Sequence, residues 1–190
     1  VLKMREGKST REAFGEALVK LGRAREDVVV LDADISKSTS TYMFHKEFPK
    51  RSFNFGVAEQ NMMTIAAGLA TTGKVVFTST YAVFASMRAC EEVRTFICYP
   101  NLNVKIAASH GGLHVGKDGV THQGIEDISI MRSFPNMMVV QPADAVAAEK
   151  AVFAIAEHKG PVYLRLIRNK VPQVFDEDYR FEIGKAVVLR

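Results

Sequence analysis

Short β-branched runs alternate along this chain with longer stretches of helical spacing. Residues 27–31, 74–77, 104–108, 137–140 and 161–167 have the length and composition of buried strands, and 52–55 adds a shorter one. Residues 58–72, 81–97, 127–133 and 144–158 read as helices between them. This alternation predicts an α/β fold, a three-layer α/β/α arrangement around a mostly parallel sheet. A first helix opens at Ser9-Thr10-Arg11-Glu12, a capping box, and carries Ala13, Phe14, Ala17, Leu18 and Leu21 on one stripe. Helix 58–72 is apolar around most of its circumference, which predicts burial, and Gly73 closes it. Helix 81–97 sets Arg88/Glu92 and Glu91/Arg94 at pairing distance on its surface. Past Pro172 the periodicity fades. We expect one domain over residues 1–175, with 176–190 a linker and the start of a further C-terminal domain.

Hydrophobic residues make up 47% and charged residues 24%, a balance that excludes a disordered or fibrous chain. The formal charge of +4 is local. Residues 1–25 hold seven basic side chains, Lys3, Arg5 and Arg11 among them, against three acidic ones, and the remainder nets to zero. A nucleic-acid binder would spread a basic stripe over the fold, so no nucleic acid is expected. Two cysteines, Cys90 and Cys98, are too few for a disulfide framework. No apolar run nears the ~18 residues of a membrane span. A cytoplasmic chain without membrane contact is the expectation.

In a parallel sheet, ligands collect at the carboxyl ends of the strands. Segments 32–38, 78–81 and 109–123 fall there, and 56–61 precedes the apolar helix. Gly111-Gly-Leu-His-Val-Gly116-Lys117-Asp118 approaches a phosphate-binding P-loop, but Asp118 stands where a hydroxyl must hold magnesium. A nucleotide site is not expected. His110, His114 and His122 crowd the same loop. Three readings stay open for them: a zinc site, an anion or sugar-hydroxyl site, or histidines bonded to loop backbone. Glu59 either complements the dipole of the helix it opens or sits partly desolvated, available for proton transfer. Tyr81, Phe84 and Met87, spaced i, i+3, i+6, form either a core stripe or a flat wall for a planar heterocycle.

Phe53-Asn-Phe-Gly-Val-Ala-Glu59-Gln-Asn-Met, followed by Ala-Ala-Gly-Leu-Ala-x-x-Gly73, resembles the pyrimidine-binding domain of transketolases and their thiamine-diphosphate relatives. So do Ser109-His110 through Gly116-Lys-Asp118-Gly-Val-Thr-His122-Gln123-Gly, Arg132-Ser-Phe-Pro-Asn136, Gln141-Pro-Ala-Asp144 and Arg165-Leu-Ile-Arg168-Asn169. The likeness runs in order over residues 9 to 175.

The resemblance implies thiamine diphosphate as cofactor and transfer of a two-carbon ketol unit between ketose and aldose phosphates, a pentose-phosphate reaction. It implies that Glu59 bonds the ring nitrogen of the cofactor's aminopyrimidine and so supports its activation. Tyr81, Phe84, Met87, Val57 and Asp34 are the other implied cofactor contacts, with Met87 where the family commonly has another aromatic. His110 and His122 would handle sugar hydroxyls and protons, and Asp118 a ketose hydroxyl. Arg11, Ser38 and Arg168 would grip the substrate phosphate. Glu59, His110 and His122 form the implied catalytic set, and no metal ligand is expected in this chain. The family's diphosphate-binding domain, with its Gly-Asp-Gly motif, has no counterpart in the sequence. A partner domain or subunit would therefore bring Mg2+ and the rest of the cofactor site, in a homodimer or heterotetramer. The isolated chain would be inactive. Two alternatives stay open, a 1-deoxyxylulose-5-phosphate synthase domain and a non-catalytic module retaining the fold, with a 2-oxoacid dehydrogenase beta subunit a weaker third.

Overall fold

The structure is a computed structural model that describes residues 6–185 and 187–189. Lys3 and Arg5, the first five residues of the expected domain, and positions 186 and 190 of the expected C-terminal segment lie outside the described residues. Helix α1 (Thr10–Ala24) begins with the expected capping box: Ser9 Oγ accepts from Glu12 N, and the Glu12 carboxylate accepts from Ser9 N. Its predicted stripe is buried throughout. Strand β1 (Val28–Asp32) follows, then two short helices, α2 (Ser36–Thr39) and α3 (Tyr42–Glu47), and strand β2 (Ser52–Asn54). Neither short helix has enough apolar periodicity to be read from sequence. Helix α4 (Glu59–Thr71) and strand β3 (Val75–Tyr81) come next, then a helical rod containing α5 (Cys90–Glu92). Strand β4 (Val104–Ser109), α6 (Asp127–Arg132), β5 (Met138–Val140), α7 (Ala145–Glu157) and β6 (Val162–Arg165) complete the order.

The six strands form one sheet in the order β2-β1-β3-β4-β6-β5, and every pair is parallel. Side-chain alternation divides the core in two. Val28 and Val30 face a layer that includes Phe14, Leu18, Phe44 and Val152, from α1, α3 and α7. Val29 and Leu31 face Met62, Met63, Ala89, Val93 and Met131, from α4, the rod and α6. This is the three-layer α/β/α fold expected from the sequence.

Three local expectations are corrected. Residues 78–81 are not a polar loop at a strand end; they continue β3, and Tyr81 is its last residue rather than the first of a helix. β3 lies between β1 and β4, so its backbone is paired on both sides, and the buried Ser79 hydroxyl donates to Ala107 O at 3.0 Å. The helix expected over 81–97 is broken into wide π turns at Phe84–Arg88 and Val93–Cys98 around α5. Wide turns rotate side chains off the expected surface pairs. Arg88 reaches Glu59, Glu92 accepts from Gln60 Nε2, and no ion pair joins Glu91 to Arg94 among the described residues. Helix α4 is also not buried all round: Gln60, Asn61, Thr64, Ile65 and Gly68 form an exposed side.

The segment after β6 folds back. Val174 N and Phe175 N donate to Asp144 Oδ2, and Phe181 and Ile183 pack against the α1/α7 side of the core. Among the described residues no helix is long and apolar enough to cross a membrane.

Candidate functional site

The carboxyl edge of the sheet gathers the polar chemistry. β1 ends at the buried Asp32, whose carboxylate accepts from Ile35 N (2.7 Å), Thr41 Oγ1 (2.8 Å) and Thr39 Oγ1 (3.1 Å). Burial pushes this carboxyl above its ordinary pKa, and those bonds pull the other way. The turn it holds carries Asp34 and Ser38. Asp34 is exposed, takes a φ of +64°, and accepts from Asn54 Nδ2 at 2.8 Å.

Glu59 is the first residue of α4 and only 2% exposed. Its Oε2 accepts from Arg88 Nη1 at 2.8 Å, and its Oε1 from Thr80 Oγ1 at 3.4 Å. The Arg88 guanidinium, 44% exposed, also lies over the Phe84 ring, 4.2 Å from its centroid. A carboxylate at a helix start is favoured by the dipole, and the cation opposite adds a charge-assisted bond.

Phe84 stacks with Tyr81 at 5.9 Å between centroids. The Tyr81 ring lies 4.1 Å from His110 and 5.8 Å from His122, and His122 meets Phe84 edge-on at 5.2 Å. Glu59, Arg88, Phe84, Tyr81, His122 and His110 are thus threaded on one continuous strip.

His110 follows β4 in the left-handed region, with a φ of +60°, a conformation few side chains adopt without support. Its ring is buried, and Ser109 Oγ sits 2.8 Å from Nδ1. Desolvation, reinforced by the charges of Arg11 and Arg168, pushes the imidazole down to about 4, so it is neutral near physiological pH. Asp118, in the turn Gly116–Asp118, opposes that shift. His114 is exposed.

Arg11, Ser38 and Arg168 also meet. Arg11 Nη1 donates to Ser38 O at 2.5 Å and its Nε to Arg168 O at 3.2 Å. Arg168 Nη1 donates to Val115 O at 2.8 Å. A recess of about 390 Å³ opens among Ser9, Arg11, Glu12, Arg168, Asn169 and Lys170. It carries three cations against one carboxylate. Asp34, Val57 and Met87 do not join the strip through any described contact, and Val57 and Met87 are 72% and 45% exposed.

Sequence reasoning missed Arg88, Thr80 and Ser109. Arg88 offered only its spacing to Glu92, and hydroxyl residues in a β-branched strand carry no pattern of their own. Among the described residues, no group of three or more His, Cys, Asp or Glu is arranged to hold a metal ion.

Residues 6–173 match the family model of the transketolase pyrimidine binding domain. The chain is 53% identical over 184 residues to a putative transketolase C-terminal section of Methanocaldococcus jannaschii, covering 96% of this chain and 58% of that protein. It is 39% identical over 180 residues to a 6-deoxy-6-sulfo-D-fructose transketolase subunit of Clostridium sp. (strain MSTE9), covering 95% of this chain and 56% of that one. The chain therefore spans a little over half the length of these two relatives. A solved split gene transketolase, described as an inactive beta4 tetramer, superimposes with a TM-score of 0.85 at 56% identity, over 94% of this chain and 58% of the other. The transketolase of Campylobacter jejuni superimposes with a TM-score of 0.83 at 28% identity, over 93% of this chain and 28% of the other. With the family model covering most of the chain and the parallel sheet matching these neighbours, the chain belongs to the transketolase family, as its pyrimidine-binding domain.

Proposed function

We propose that this chain is the pyrimidine-binding part of a thiamine-diphosphate-dependent transketolase that moves a two-carbon ketol unit between ketose and aldose phosphates. The strip from Glu59 through Phe84 and Tyr81 to His110 carries this reading. Its residues fit the cofactor: a carboxylate buried at a helix start, and two stacked aromatic rings that Arg88 links to it, suit the ring nitrogen and flat face of an aminopyrimidine. Bound there, thiamine diphosphate supplies an electron sink for cleaving the bond next to a ketose carbonyl.

The chain's own residues bind and orient. Glu59 holds the proton at the pyrimidine ring nitrogen, with Arg88 and, through a longer bond, Thr80 fixing its carboxylate. Tyr81 and Phe84 face the ring. Val57 and Met87, exposed here, and Asp34 at the strand end complete the cofactor contacts once the other half of the site is in place. His110, neutral because it is buried, and His122 bond the sugar hydroxyls and carry protons near the reacting carbonyl. Asp118 accepts from a ketose hydroxyl. Arg11 and Arg168 take the substrate phosphate beside the Ser38 turn, since a guanidinium fork suits that anion. Mg2+ and the diphosphate belong to a partner domain or subunit, in a cytoplasmic assembly of two or four chains. The names of the relatives, a C-terminal section and a subunit, support a chain that works with a partner. So does the inactive state of the tetrameric neighbour.

The test mixes this chain with a candidate diphosphate-domain partner and supplies xylulose 5-phosphate and ribose 5-phosphate. Ketol transfer is expected from the mixture and not from either part alone. In that mixture Glu59→Gln keeps the fold by circular dichroism and slows exchange of the thiazolium C2 proton by about 100-fold or more. Full exchange in the variant would remove Glu59 from the mechanism.

A further inference from the structure

Arg165, at the end of β6, is used by none of these assignments, yet it has the most elaborate set of partners near the site. Its Nε donates to Asp127 Oδ2 at 2.8 Å and its Nη2 to Asp127 Oδ1 at 3.2 Å. Nη2 also donates to Gly124 O at 3.0 Å, and Nη1 to Gln141 Oε1 at 3.1 Å. The Tyr163 hydroxyl donates to Asp127 Oδ2 at 2.7 Å, so that fully buried carboxylate is bonded from two side chains. One unit thereby joins β6, α6, the Gln141 turn and the base of the histidine loop.

One end of that loop is bonded to it and the other packs against it, where Gly111 N also donates to Leu166 O at 3.0 Å. Gly112 N donates to Gly124 O at 2.7 Å, closing the loop, and Gly124 O is the same carbonyl that Arg165 holds. At the other end a Cβ on Gly111 would come within 2.8–2.9 Å of Arg165 Nε, Cγ and Cζ. Gly111 therefore leaves space for its backbone to lie against the guanidinium. His110 immediately precedes Gly111, and His122 stands two residues before Gly124. A buried ion pair is a poor device for stability, because desolvation offsets most of its attraction. A fork of fixed donors is a good device for geometry.

We propose that Arg165, oriented by Asp127, is a positioning residue that sets His110 relative to His122 by holding both ends of the loop that carries them. Its consequence for catalysis rests on the reading of those histidines as hydroxyl- and proton-handling groups. Lysine cannot reproduce the fork, so in Arg165→Lys the two loop ends lose their common support.

Histidine NMR on this chain, wild type and Arg165→Lys, reads the positioning directly. The His110 ring faces Tyr81, the charges of Arg11, Arg168 and Asp118, and His122. Loosening the loop admits water, so its titration midpoint rises by at least ~1 pH unit and the ring shifts from Tyr81 and Phe84 at His110 and His122 shrink. Unchanged ring signals and titration in a folded Arg165→Lys chain overturn the proposal. If that variant does not fold, Gly111→Ala takes its place: its Cβ, set against Arg165 Nε and Cζ, forces the loop and the guanidinium apart while both members of the Asp127 pair are kept. The same shifts are then expected, and their absence overturns the proposal equally. In the assembled enzyme kcat falls ~10–100-fold while KM for the ketose phosphate stays within ~2-fold, as misplaced groups cost rate more than binding. Shifted histidines with an unchanged kcat uphold the positioning and instead remove the histidines from the chemistry.

Discussion

Arg88 and Glu59 are joined by a 2.8 Å ion pair in which the carboxylate is buried and the guanidinium is half-exposed. The pair links a π turn of the rod to the first residue of α4, and it gives a buried charge its main partner. Removing the arginine leaves that charge, among the described residues, with a long bond from Thr80. Arg88→Met should therefore destabilise the chain by about 1–2 kcal/mol in urea unfolding, the lower part of the usual cost because the donor is half in water. Combined with Glu59→Gln in a double-mutant cycle, a coupling of ~1 kcal/mol or more is expected. Strict additivity would mean that the pair contributes nothing.

Lys105 is fully buried in β4, and its Nζ donates to His158 O at 2.7 Å and Gly160 O at 2.6 Å, just beyond α7. Desolvation, then the charge of Arg25, pushes its pKa down from 10.5 to about 7. Between those two values the unfolded chain binds a proton that the folded chain does not hold. Stability therefore rises with pH across that window, and as pH drops the loss levels off once the folded pKa near 7 is passed. The buried Cys98 thiol, pushed up to about 12, acts in the opposite sense above its ordinary value near 9. Between roughly pH 7 and 8.5 the wild type should gain about 1–2 kcal/mol, and Lys105→Met should be flat. A variant that keeps the wild-type slope would assign it to another group.

Asp144 caps α7 by accepting from Ala147 N at 2.8 Å through Oδ1, and its Oδ2 takes Val174 N at 2.7 Å and Phe175 N at 2.8 Å. One carboxylate thus starts a helix and anchors the returning segment. Asp144→Ala should cost roughly 2–3 kcal/mol, a cap plus two half-buried donors left without their carboxylate. Asp144→Ser keeps a capping hydroxyl, so about half of that loss should return, while amide exchange at Val174 and Phe175 stays fast. Equal losses and equal exchange in the two variants would show that the tail is not held here.

Local periodicity carried most of the fold. The Ser9 capping box, the apolar stripe of α1 and the β-branched strands were all legible, because each is written within a few neighbouring residues. Glu59 and the histidine loop were legible as polar breaks at strand ends. The end of β3 was not: Thr78, Ser79 and Thr80 look like a polar loop, and only pairing on both sides makes them strand. The rod failed for a related reason, since regular helical spacing says nothing of π turns, and these decide which way Arg88 faces.

The sequence by itself determined the order of the main strands and of the helices α1, α4, α6 and α7, and which face of α1 turns inward, since hydrophobic spacing and capping chemistry are local. It also held the motif blocks by which the chain is recognised as a transketolase pyrimidine-binding domain. The tertiary structure alone decided what three of the buried charges meet: Glu59 with Arg88, Arg165 with Asp127, Lys105 with the carbonyls past α7. Those partners lie 29 to 55 residues apart in the chain. A charge leaving water needs an opposing group within hydrogen-bond reach, and which one it finds depends on how finished elements dock rather than on the residues beside it.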